Sequence, residues 1–191
     1  MAEPTSIPPD HVRIGTTYEE VRPDARRGVA ALKRPRRVSL GRDLAVVFEN
    51  RDTVRAALEE TLRAERITEP QRVATEAEAF SGLISGPGEL LAVLYLAVSD
   101  AADLAAAAAQ LDGVERAIYL EVGGCRIGAV ADDTAPAEES PAAFAVRFHL
   151  DQAARDAWLG GAKVRLGVEH PAISVTVDLD DDQRRAVAED L

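Results

Sequence analysis

Residues 33–66, KRPRRVSLGRDLAVVFENRDTVRAALEETLRAER, constrain the fold more than any other part of the chain. A dense basic run leads into two short apolar stretches, 37–40 and 44–49, on either side of Gly41-Arg42-Asp43. Strand-forming runs separated by a short glycine-containing turn predict a hairpin, and a hairpin pairs its strands antiparallel. Asn50 or Asp52 then stands where a helix needs an N-cap. Beyond it Val54, Leu58 and Leu62 recur at helical spacing. An antiparallel ribbon that runs straight into an amphipathic helix points away from a parallel, doubly wound sheet.

The rest of the chain follows the same mixture. Residues 1–16 are Pro-rich at their start and without periodicity, which predicts a flexible N-terminal arm; residues 17–191 then form a single domain. A helix is expected over 18–33, with Thr16 or Thr17 as its cap and Pro23 early enough to be tolerated. A second, more polar helix is expected over 69–80, and Gly82, Gly86, Pro87 and Gly88 mark a long turn. The apolar run 90–98 reads as a central strand. Residues 100–110 are an Ala-rich helix capped by Ser99 or Asp100. Strand 115–122 turns at Gly123-Gly124 and returns over 126–131. An acidic loop spans 132–141, and a strand follows over 143–150. Asp151 caps a short helix ending at Trp158, strands cover 163–168 and 173–179, and Asp180 to Asp182 open a C-terminal helix. The sum is an α+β fold: a mostly antiparallel sheet of about eight strands with about six helices packed on it.

The formal net charge of -11 disfavours non-specific binding to nucleic acid or anionic membrane. The start of the chain is polar, without a secretory apolar segment, so a cytoplasmic protein is expected. One cysteine, Cys125, excludes an internal disulfide and has no base placed beside it by any motif. His11, His149 and His170 lie far apart, so no metal-ligand spacing is present and no cofactor is expected. Glu59, Glu60 and Glu65 with Arg55 and Arg63 form either a polar site on one helix or, the favoured reading, an exposed salt-bridged face. The basic cluster has the best case for a role. Arg22, Arg26, Arg27, Lys33, Arg34, Arg36 and Arg37 form either a solvated face or a surface for an anion or acidic partner, where charge would speed the encounter.

The stretches YEEVRPDARRGVAALKRPRRVSLG and FENRDTVRAALEETLRAERI, then GELLAVLYLAV, LDGVERAIYLEVGG, AVRFHL and GVEHP in that order, resemble the uncharacterised bacterial family catalogued as domain of unknown function 3501. The resemblance implies a protein without an established activity. It also implies a redox or oxidative-stress setting, with rubrerythrin-like di-iron or iron–sulfur proteins as candidate partners. Glu60, Arg63, Glu65, Arg147 and His170 match the family pattern and are the candidate pocket residues. The chain departs from that pattern where Ala56, Ala57, Val93, Ala97 and Phe144 replace polar residues. Three readings follow: an accessory, non-catalytic redox partner; an enzyme or small-molecule binder using a Glu/Arg/His pocket; and an electrostatic binder of nucleic acid or nucleotide.

Overall fold

The computed structural model describes residues 6–42, 44–96, 101–132 and 143–191, with only the backbone described for 101–105. In chain order the elements are α1 (Gly15–Lys33), β1 (Arg37–Leu40), β2 (Leu44–Phe48), α2 (Arg51–Ala64), α3 (Pro70–Ser81), β3 (Glu89–Leu96) and α4 (Ala101–Gln110). Then come β4 (Ile118–Val122), β5 (Cys125–Gly128), β6 (Val130–Ala131), β7 (Ala143–His149), α5 (Gln152–Leu159), β8 (Val164–His170), β9 (Ile173–Asp178) and α6 (Asp181–Ala188). The class is α+β, and every strand pair is antiparallel.

The strands form two sheets rather than one. The first has the order β1-β2-β3-β7-β6 and the second β5-β4-β8-β9. The stretch 126–131, expected as one return strand, divides at Ala129: β5 stays beside β4, while β6 crosses to pair with β7. Alternation reports which face a residue occupies, not which sheet it joins, so the division leaves no mark in the pattern.

The sheets pack face to face. Val46, Phe48, Leu90, Leu94, Val146 and Phe148 of the first meet Ile118, Leu120, Val164, Leu166 and Val168 of the second in one buried cluster. α5 and α6 add Trp158 and Val187 to it. The opposite face of the first sheet supplies Leu91 to a second cluster with Val54, Leu58, Leu62, Val73 and Phe80 of α2 and α3. The first sheet is thus covered on both sides, and all five residues of β2 are buried. Neighbouring strand residues point to opposite faces, so each side receives alternate residues.

Local signals account for most element ends. Asn50 accepts a hydrogen bond from the Thr53 backbone at 3.0 Å while the Thr53 hydroxyl accepts one from Asn50, closing a capping box on α2. Asp151 and Asp180 cap α5 and α6 as expected. α1 starts earlier than expected, with Ile14 at the cap position and Thr16 and Thr17 inside its first turn. The cap expected at Ser99 or Asp100, the turn residue Asp43, residues 97 and 98 and loop positions 133–141 lie outside the described residues. The segment read as an arm buries Ile7 and Val12 against α2 and α3, because their apolar side chains complete the second cluster. Arg36, read as part of a basic surface, is instead 2% exposed. It donates to the Asp190 carboxylate and, at 2.5 Å, to the Ala186 carbonyl, tying the end of α6 to the corner between α1 and β1. Among the described residues no helix is long and apolar enough to cross a membrane.

Candidate functional site

The helix-facing side of the first sheet is not fully covered. Leu91, Val93, Ala143 and Ala145 form part of the floor of a cleft of about 770 Å³, with Ala57, Thr61 and Ala64 of α2 and Phe80 of α3 in its walls. Small side chains at Ala57, Ala64 and Ala145 leave room that larger ones would close. Glu49, Glu60, Glu65, Glu76, Glu115 and Asp132 also line it, and Lys33 is the one cation among its described lining residues.

Glu49 is buried in this lining. Its place is set by the strand ladder, since its backbone N–H donates to the Leu91 carbonyl at 2.9 Å. Its side chain is 6% exposed, and Oε1 accepts from Lys33 Nζ at 2.7 Å. Oε2 is buried and accepts no hydrogen bond among the described residues. Such an atom has lost its water without gaining a partner, an uncommon condition in a folded protein.

Glu60 sits where α1 and α2 meet. It accepts from the Tyr18 hydroxyl at 3.0 Å and from Arg22 Nε at 2.9 Å. Burial alone would raise its pKa, but the hydrogen bonds and charge of Arg22, with the Tyr18 hydrogen bond, outweigh it and hold the carboxyl below its ordinary value. Burial, then the hydrogen bond to Glu60, pushes the Tyr18 phenol up to about 12. Tyr18 is therefore a fixed donor at neutral pH and not a base.

The remaining candidate pocket residues disperse. Glu65, the C-cap residue of α2, lines the cleft and has no ion-pair partner among the described residues. Arg147 is a clamp at its edge: it donates to Asp132 at 2.7 Å, Glu89 at 2.8 Å and the Gly82 carbonyl at 2.7 Å. Arg63 pairs with Glu19 at 2.7 Å on an exposed face. His170 ends β8 on the other sheet, its Nε2 3.1 Å from the Asp112 carbonyl oxygen and its Nδ1 accepting from Ala172. The five do not converge: Glu60 and Glu65 face the cleft, Arg147 braces it, and Arg63 and His170 hold other parts of the fold.

The basic cluster also separates. Arg22, Arg27, Lys33 and Arg36 pair with Glu60, Asp24, Glu49 and Asp190. Arg26 is exposed and acts on Glu60 through its charge. Arg34 and Arg37 are exposed and make no ion pair among the described residues. With Lys33 they line a second, shallow hollow of about 470 Å³ floored by Ala30, Val47 and Tyr95. Cys125 is exposed in the hairpin of the second sheet. Among the described residues no group of three or more acidic, His or Cys side chains is placed to hold a metal ion.

Sequence reasoning did not single out Glu49, Glu76, Glu115 or Asp132. Glu49 had a usable signal. It directly follows the apolar run of β2 and shares the parity of Ala45 and Val47, which places its acid on the helix side. Of the positions where the chain departs from the family pattern, Ala57, Val93 and Phe144 line the cleft; Ala56 does not, and Ala97 is outside the described residues.

The family model described as protein of unknown function (DUF3501) matches residues 6–191, and the chain belongs to that family. A solved structure of a protein of unknown function from Burkholderia pseudomallei K96243 is similar in fold, with a TM-score of 0.89 and 28% identity. The match covers 97% of this chain and 99% of that one. No curated protein matches the chain.

The Glu60 contacts predict two opposite pH effects. The lowered Glu60 pKa contributes stability above the ordinary carboxylate value of about 4.3, lost as pH falls through its folded value. The raised Tyr18 pKa contributes stability below about pH 10, lost as pH rises through its folded value. In an ultraviolet titration one of the three tyrosines should ionise near 12, and that phase should vanish in Tyr18→Phe. An unchanged alkaline titration in Tyr18→Phe would contradict the contact.

Proposed function

We propose that this DUF3501 member is a binding protein for a small organic molecule, held in the cleft between the first sheet and α2 and α3. The observation that carries the reading is Glu49, a buried carboxylate with one unsatisfied oxygen lining a cleft of about 770 Å³. Ligand sites are typically clefts of about 300–1,000 Å³ with apolar walls and a few fixed polar groups. Val54, Phe80, Leu91 and Val93 supply such walls. The apolar replacements at Ala57, Val93 and Phe144 fall on this same surface, which supports an altered site in this member. Binding is favoured over turnover because Tyr18 stays protonated and the carboxylates of Glu60 and Asp132 are engaged by Arg22 and Arg147.

A second reading keeps the chain as an accessory partner in a redox or oxidative-stress pathway. It is supported by Arg34 and Arg37, cations without an ion pair among the described residues beside an apolar hollow, which suit an acidic patch on a rubrerythrin-like or iron–sulfur protein.

The two readings separate experimentally. Nile red, a neutral polarity-sensitive dye, should bind saturably with enhanced fluorescence. Ala57→Trp should fill the cleft and weaken dye binding at least about tenfold while the thermal unfolding midpoint stays within a few degrees. Unchanged dye binding in that variant would sink the cleft reading. For the partner reading, Arg34→Glu with Arg37→Glu should weaken a salt-sensitive complex with a rubrerythrin-like protein about tenfold or more in calorimetry. A complex indifferent to both reversals would reject that surface.

A further inference from the structure

We infer that the ligand of the cleft is an organic cation, an ammonium group on an apolar body, with Glu49 as its anchor. The inference rests on the cleft reading above and adds the chemistry of the occupant. Six carboxylates line the cleft against one lysine. Arg22 offsets Glu60, Arg147 offsets Asp132, and Lys33 offsets Glu49. Arg116 offsets Glu115 at 3.5 Å, while Glu65 and Glu76 have no ion-pair partner among the described residues, so the cleft keeps a negative balance. An anion entering it would be repelled as well as desolvated.

Glu49 supplies the observation independent of that charge count. An ionised carboxylate only accepts hydrogen bonds, so its unsatisfied Oε2 calls for a donor. This oxygen is buried, and the neighbouring cation, Lys33, is committed to Oε1. The terminal torsion of a glutamate is broad, so the carboxylate can turn its free oxygen to a donor arriving in the cleft. A neutral hydroxyl supplies one O–H donor without charge. An ammonium supplies three donors with charge, and charge-assisted hydrogen bonds are roughly twice as strong as neutral ones. The surrounding Leu91, Val93, Val54 and Phe80 side chains accept the apolar remainder and hold off water, which strengthens the ion pair. A bare metal ion suits the site poorly, since the described carboxylates are not grouped for one.

Octylamine, octan-1-ol and octanoate share one apolar body and differ in charge, so they are the probes. At pH 7 the amine is protonated, with a pKa of about 10, as for a lysine side chain. Calorimetry on the wild-type chain should rank octylamine about tenfold or more above octan-1-ol, with octanoate weakest. Backbone amide shifts should localise the amine to Glu49, Val54 and Val93. Glu49→Gln should weaken octylamine about tenfold and octan-1-ol much less, narrowing the gap between them. If the three probes bind in the cleft equally, or octanoate binds best, the cation inference falls while the cleft reading stands. If none shifts the cleft residues, both fall. A folded Glu49→Gln chain that binds octylamine as the wild type does removes Glu49 as the anchor. Should Glu49→Gln fail to fold, the wild-type ranking of the three probes decides alone.

Discussion

The structure depends on one sheet being buried on both faces. The inner face of β1, β2, β3 and β7 is used up by the second sheet, so the outer face must find its own cover. α2 and α3, with Ile7 and Val12 of the N-terminal segment, provide it around Leu91. Past Leu91 the cover thins, and Val93, Ala143 and Ala145 become the floor of a cleft. The site is thus a consequence of how three layers fit: two sheets meet fully, and a helical layer only partly roofs the first of them.

Charge placement follows from the same layering. A chain with net charge -11 could have left its cations on the surface as counter-ions. Instead Arg22, Lys33, Arg36 and Arg147 join elements distant in sequence: α1 to α2, α1 to the end of β2, the α1–β1 corner to the C-terminus, and β7 to β3. Pairs of this kind, from partly exposed at Arg22–Glu60 to buried at Arg36, are weak sources of net stability, so they specify arrangement more than they add energy. Lys33 and Glu49 are the pair in which this arrangement is incomplete, because one carboxylate oxygen has no partner among the described residues.

Much of the fold was legible in local chemistry. Asn50, Asp151 and Asp180 cap helices where short polar residues precede apolar periodicity. The turns at Gly41 and at Gly123-Gly124 use positive φ, which glycine reaches without strain. The division into two sheets was not legible, because the crossing at Ala129 depends on which partner strand wins, a tertiary matter. The N-terminal segment misled for a similar reason: two apolar residues among prolines show no period, yet they complete a cluster. At the site, Glu60 and Glu65 are marked both by the polar helix face and by the family resemblance, whereas Arg63 and His170 share the family pattern but serve local structure. Glu49 was passed over because an acid ending an apolar strand reads as the strand's end. Only the helix layer above it turns that position into part of a cleft lining.

The central claim is that the Lys33–Glu49 pair is kept for binding and not for folding. The most direct test is the unfolding free energy, from urea denaturation, of the chain carrying both Lys33→Met and Glu49→Leu. Apolar residues of similar size should replace a buried ion pair at no net cost, or with a gain of about 1–4 kcal/mol. The account predicts that outcome together with loss of amine binding. A double variant destabilised by more than about 2 kcal/mol would show that the pair holds the fold together and would contradict the claim.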